Sequence, residues 1–176
     1  AFIAEPVMGA GGVIPPPETY FEKVQMILKK YDILFIVDEV ICGFGRTGNM
    51  FGSETYNLTP DMMTVAKALS AAYQPIGAVL INDDIYQVLL KGSEKVGTFG
   101  TGFTYSGHPV PAAVALETLK IYEERDIARQ VGEISPYFLA RLHQFGSHPL
   151  VGETRGVGLI GAIELVQDKL SHNNFD

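Results

Sequence analysis

Two charged residues stand directly behind apolar runs: Asp38 follows "ILFIV" and Lys67 follows "MMTVA". In open α/β sheets, ligands gather outside the carboxyl ends of the strands, so a carboxylate and an amine delivered there can serve one site. The carboxylate can hold a cationic nitrogen, which offsets the cost of burying it. A partly desolvated amine has its pKa lowered and becomes nucleophilic toward a carbonyl. The same two groups could instead form a buried ion pair that only staples two strands, and spacing alone leaves both readings open. Val40, two residues beyond Asp38 along extended chain, is expected to face the same side, either against a ligand or as simple core. Further on, "GFTYSGHP" places Thr104, Tyr105 and Ser106 just before a helix predicted from Pro109. Hydroxyls and loop amides there suit a phosphate, or they only cap the helix. His108 is expected to be a structural loop residue.

The elements that must position these groups follow from periodicity. "AFIAE" and "ILFIVD" read as strands, joined by the glycine- and proline-rich "PVMGAGGVIPPPE" and a helix. In that helix Tyr20, Val24, Ile27 and Tyr31 recur at helical spacing, with Phe21 and Leu28 widening the stripe. Residues 2–38 thus read as a βαβ unit with a right-handed crossover. The apolar runs are continuous, which predicts helices on both faces of the sheet. "MMTVA" and "IGAVLI" are predicted strands with "KALSAAYQP" crossing between them, and "DDIYQVLL" a short helix. A long helix from Pro109 and a second over roughly 127–145 come next, separated by "ERD". "HPLVGETRGVGLIGAIELV" reads as a turn and two strands of a smaller subdomain.

The bulk numbers fit this picture. The chain has 176 residues, 47% hydrophobic and 19% charged, as in a packed globular protein. No apolar run approaches the roughly 20 residues that span a bilayer, so no membrane partner is expected. A net charge of −7 argues against a nucleic-acid surface. The single cysteine, Cys42, excludes an internal disulfide framework, is expected to be a buried hydrophobe, and fits a reducing compartment, taken as cytoplasmic. The chain opens inside an apparent strand and stops without a closing element, which reads as an internal piece of a longer protein. Residues 1–145 are expected to form the central and C-terminal part of a large α/β domain with connecting helices, and 146–176 the beginning of a small C-terminal domain.

"VDEV", "GFGRTG", "PDMMTVAKALSAAYQPIGAV" and "GFTYSGHP", in unbroken order over essentially the whole chain, together resemble the class III aminotransferases. Those are fold-type I enzymes that use pyridoxal 5′-phosphate, and within them the chain looks most like the pyruvate-using ω-amine transaminases. The resemblance implies a mostly parallel sheet flanked by helices, incomplete here, and a ping-pong transfer of an amino group from an amine or ω-amino donor to a keto acid, pyruvate by preference. It gives Lys67 the role of Schiff-base lysine and proton shuttle, and Asp38 that of partner to the pyridine nitrogen. Val40 would pack on the ring face. Thr104 would reach the cofactor phosphate of the other subunit in a homodimer. No metal is implied.

Two departures bear on substrate. Many relatives carry glutamine after "DEV", bonded to the cofactor's 3′-oxygen; here that position is Ile41. Members that use ornithine or γ-aminobutyrate with 2-oxoglutarate often place a glutamate five residues after the "EP" glutamate, where it gates a carboxylate-binding arginine. After Glu5 that position is Ala10, which favours pyruvate and donors that need not be carboxylated. Arg155 is expected to begin the small-domain strand and not to be the substrate-binding arginine, and Arg46 is expected to be a structural contact. The shared chemistry also fits a 2-oxoglutarate-dependent aminotransferase, a decarboxylase or a racemase of the same family, and a non-catalytic fragment is the remaining alternative; alone, the piece is expected to be inactive.

Overall fold

The computed structural model describes residues 1–175. Its main sheet has four strands in the order β1 (Phe2–Ala4), β2 (Phe35–Asp38), β3 (Met62–Val65) and β4 (Ala78–Ile81). The first three are parallel and β4 runs antiparallel to β3, so the expected α/β class with a mostly parallel sheet is what forms. Helix α1 (Tyr20–Lys30) makes the crossover from β1 to β2. A short α2 (Gly52–Thr55) precedes β3. The 14-residue α3 (Asp83–Val96), longer than the sequence pattern indicated, is capped by Asn82, whose side chain accepts the Ile85 N–H. Helices α4 (Pro109–Glu124) and α5 (Ile127–Gln144) follow. The antiparallel hairpin β5 (Val151–Val157) and β6 (Ile160–Leu165) forms a separate two-stranded sheet.

Strand alternation sorts the two faces of the main sheet. Phe35 and Val37 are buried on the α1 side with Phe21, Leu28 and Leu58. Val65, further along, packs with Phe44, Leu69 and Ala115. The opposite face carries Ile3, Ile36, Asp38, Met62 and Thr64, and at its margins Ile3 and Val79 are 57% and 63% exposed. Helices on both faces were expected from the continuous apolar runs; among the described residues the cover lies on one. The helix stripe is also rotated from expectation. Phe21 and Leu28 face the core, while Tyr20, Ile27 and Tyr31 are exposed, because the aromatic ring of Phe21 docks against Phe35 and Tyr56.

One side chain ties three strands together at their edge. Asp61 Oδ2 accepts the Phe35 N–H at 2.7 Å, and its Oδ1 accepts from Asn82 Nδ2 at 3.1 Å. The hairpin docks on the main body through Ile160, which is buried with Val7 and Cys42. Its turn is held by the Leu159 N–H donating to the Arg46 carbonyl at 3.0 Å. Gly158, at φ +59, lies directly against Arg46 and Thr47, an approach and a backbone region that only glycine combines.

Candidate active site

Strand β2 ends at Asp38, on the open face and half-buried. Its Oδ1 accepts the Val40 N–H at 3.0 Å, so the turn that follows the strand fixes the carboxylate's orientation. Directly across on β3 stands Thr64, the register partner of Asp38.

Lys67 is delivered differently from expectation. Strand β3 stops at Val65, Ala66 is extended at φ −161, and Lys67 opens a 3₁₀ turn over Lys67–Ser70. The lysine is exposed rather than desolvated at a strand tip. Its backbone lies in the left-handed region at φ +44, a conformation that costs an L-residue roughly 1–2 kcal/mol. The turn that imposes it is anchored at two points: Leu69 is buried with Val65 and Ala115, and the Tyr122 hydroxyl of α4 donates to the Ala68 carbonyl at 2.7 Å.

Lys67 and Val40 line one cavity of about 370 Å³, together with Ile41, Arg46 and the hairpin residues Leu159, Ile160 and Gly161. Val40 lines the lysine's cavity while its N–H donates to Asp38 Oδ1, but Asp38 itself lines a different cavity, of about 630 Å³, with Ile3, Ala4 and Tyr20. Val40 lies in the turn after β2 rather than on extended chain, so it does not share a cavity with Asp38 as expected. No ion pair links Asp38 to Lys67 among the described residues, which removes the strand-stapling alternative. Thr104 is brought to neither. It sits exposed in the segment before α4, and its neighbours do not make it a cap: Ser106 Oγ accepts the Phe103 N–H, and His108 Nδ1 caps α4 by accepting the Val110 N–H at 3.2 Å.

The fully buried carboxylate is not Asp38 but its neighbour Glu39, at 0% exposure. Glu39 accepts the N–H groups of Gly52 and Ser53 at 2.9 and 2.6 Å. Burial pushes its pKa up, against the lowering effect of these two bonds. No motif spacing announces this role, since its partners are backbone amides thirteen and fourteen residues away. Arg155 is engaged as a strut: it donates to the Gly12 carbonyl at 2.9 Å and pairs with Glu153 and Glu164. Arg46 is exposed, lines the lysine's cavity and offers its carbonyl to the hairpin.

Comparison with known proteins identifies the family. The family model for aminotransferase class-III matches residues 1–175. A tomato (Solanum lycopersicum) protein named gamma aminobutyrate transaminase 3, chloroplastic, is 63% identical over 99% of this chain and 34% of its own length. Gamma-aminobutyrate transaminase 1, mitochondrial, of Oryza sativa subsp. indica is 60% identical, again over 99% and 34%. Among solved structures, one described as "Transaminase with L-ala" superposes with a TM-score of 0.96 at 58% identity, covering 99% of this chain and 41% of the other. The omega transaminase from Pseudomonas jessenii in complex with PMP gives 0.96 at 54%, covering 100% and 39%. The chain spans about a third of the length of the curated relatives it matches. With the family model running over residues 1–175, the chain belongs to the class-III aminotransferases.

Proposed function

We propose that the full-length protein is a transaminase in which this segment supplies the lysine and the aspartate that hold the cofactor. Class-III aminotransferases depend on pyridoxal 5′-phosphate, which when bound supplies an aldehyde to receive the amino nitrogen and an electron-accepting ring. The residues present fit that group. The Lys67 amine, held on a strained and anchored turn, would bond the aldehyde carbon and afterwards carry a proton to and from the substrate carbon. Asp38 would hold a proton at the ring nitrogen, and Val40 would pack on the ring face. The observation that carries this reading is the double role of Val40, which lines the cavity of Lys67 and fixes the Asp38 carboxylate.

Thr104, exposed on its loop, is the group this reading sends to the phosphate of a second subunit, in a homodimer. For the acceptor, the methyl side chain of Ala10 leaves no carboxylate to gate an arginine, which supports pyruvate as acceptor and an amine or ω-amino compound as donor. The γ-aminobutyrate named for the plant relatives is such an ω-amino compound. A cytoplasmic placement rests on Cys42 alone, while those relatives carry organelle names; a fluorescent fusion of the full-length protein decides it.

The test is a rate comparison on the full-length enzyme with γ-aminobutyrate and with an uncarboxylated primary amine, each against pyruvate and 2-oxoglutarate. Faster turnover with pyruvate is expected. A clear preference for 2-oxoglutarate overturns the acceptor assignment. A visible cofactor band that survives borohydride unchanged, or persists unaltered in Lys67→Ala, overturns the lysine assignment.

A further inference from the structure

Thr64 Oγ1 is buried and has no hydrogen-bond partner among the described residues. A hydroxyl left in that condition calls for a reason, since burying it unpaired is unfavourable. Thr64 is the register partner of Asp38 on the neighbouring parallel strand, so the two side chains emerge on the same, open face of the sheet about 4.8 Å apart at their roots. Of the two Asp38 oxygens, Oδ1 is taken by the Val40 N–H, and Oδ2 has no donor among the described residues. A carboxylate oxygen accepts two donors, so Oδ2 can receive both a ligand N–H and a hydroxyl.

We propose that Thr64 is a positioning residue which, by a turn of χ1, donates its hydroxyl to the free oxygen of Asp38 and holds that carboxylate for the cofactor's ring nitrogen. The inference rests on the Asp38 assignment made above. A carboxylate bonded at both oxygens cannot swing away from a ligand N–H. Thr64 thus fixes the direction of the Asp38 carboxylate toward the ring nitrogen. Its β-branched shape suits a strand, but Val or Ile would serve packing equally well, and neither brings a hydroxyl to bury.

The experiment uses full-length holoenzyme loaded with cofactor labelled with ¹⁵N in the ring, and compares Thr64→Val, Thr64→Ser and Asp38→Asn. In Thr64→Val the ring-nitrogen resonance should move toward that of an unprotonated pyridine, and the cofactor dissociation constant should rise about tenfold. Thr64→Ser, which keeps the hydroxyl and loses a methyl, should restore both, and it decides the matter if the valine variant does not fold. A Thr64→Val enzyme with the parent resonance and affinity overturns the role of Thr64, as does a serine variant that behaves like the valine one. Asp38→Asn separates the two levels: it should shift the resonance further than either threonine variant. If it too leaves the resonance in place, the Asp38 assignment falls, and the inference with it.

Discussion

Glu39 accepts the Ser53 N–H at 2.6 Å from a position with no solvent exposure, one residue beyond the half-buried Asp38. The adjacent carboxylates have opposite tasks. Asp38 ends the strand on its open face, where a ligand can reach it. Glu39 turns inward and satisfies two N–H groups that would otherwise be buried without acceptors. It thereby fixes the start of α2 against β2. Gly52, one of its donors, lies so close to Cys42 and Pro6 that an added Cβ would meet each at 2.8 Å, so the segment is clamped from both sides.

Replacing Glu39 with Gln should destabilise the protein by ~1–3 kcal/mol, because an amide offers one acceptor oxygen where two N–H groups need one each. The pH dependence has a definite sign. Burial raises the folded-state pKa of Glu39 above its ordinary value of 4.5, so the folded form holds this proton more tightly than the unfolded form does. Its contribution to stability is greatest below that ordinary value and is lost as pH rises through the raised folded pKa. Urea titrations of the full-length parent and of Glu39→Gln from pH 4 to 8 check this. A parent whose Glu39-dependent stability grows with pH would contradict the assignment.

Much of the fold was legible because β-strand and helix periodicity are local signals. The Phe2–Ala4 and Phe35–Asp38 strands, the crossover helix and the two long helices from Pro109 and Ile127 fall where the pattern placed them. What the pattern could not carry was determined by partners distant in sequence. The buried face of α1 is chosen by contact with Phe35 and Tyr56, so a stripe wide enough to include Tyr20 and Phe21 leaves the rotation undecided. At the site, the strand-end position of Asp38 was readable from the apolar run before it. The left-handed turn at Lys67 was not, since nothing in "VAKALS" specifies that conformation; it is imposed by the docking of Leu69 and the Tyr122 hydroxyl. The full burial of Glu39 leaves no mark in sequence for the same reason, since its partners are backbone donors.

Asp61 offers a test of how the sheet edge is held. Its carboxylate accepts the N–H of Phe35, a residue only 3% exposed, while also binding the Asn82 side chain. Asp61→Ala strands a buried donor and should cost ~1–3 kcal/mol. Asp61→Asn, which keeps one acceptor, should cost less. Equal melting temperatures for parent and Asp61→Ala would remove Asp61 from this role.

Cys42 should be chemically silent in the folded protein. It is fully buried, its Sγ lies 3.5 Å from the Val7 carbonyl oxygen, and burial pushes its thiol pKa up to about 11. Since the thiolate is the reactive species, labelling by an alkylating reagent at pH 8 should be far slower than for a free thiol and should accelerate on addition of denaturant. Peptide mapping identifies the labelled site in the full-length enzyme. Modification of Cys42 at the free-thiol rate under native conditions would show that the layer over Val7 and Ile160 opens readily.

The strain at Lys67 separates structure from chemistry, because it resides in the backbone and not in the amine. Both Lys67→Ala and Lys67→Gly remove the amine and should remove the covalent link to the cofactor. They differ in φ: alanine must still occupy the left-handed region at +44 that the turn imposes, whereas glycine does so without steric cost. In the cofactor-free full-length protein, Lys67→Gly should therefore be more stable than Lys67→Ala, by ~1 kcal/mol after glycine's larger loss of chain entropy is allowed for. Thermal melts of the two variants, each treated to remove cofactor, provide the comparison. If alanine proves as stable as glycine, the turn relaxes without penalty, and the anchoring by Leu69 and Tyr122 is too weak to hold the lysine in a strained, preset orientation.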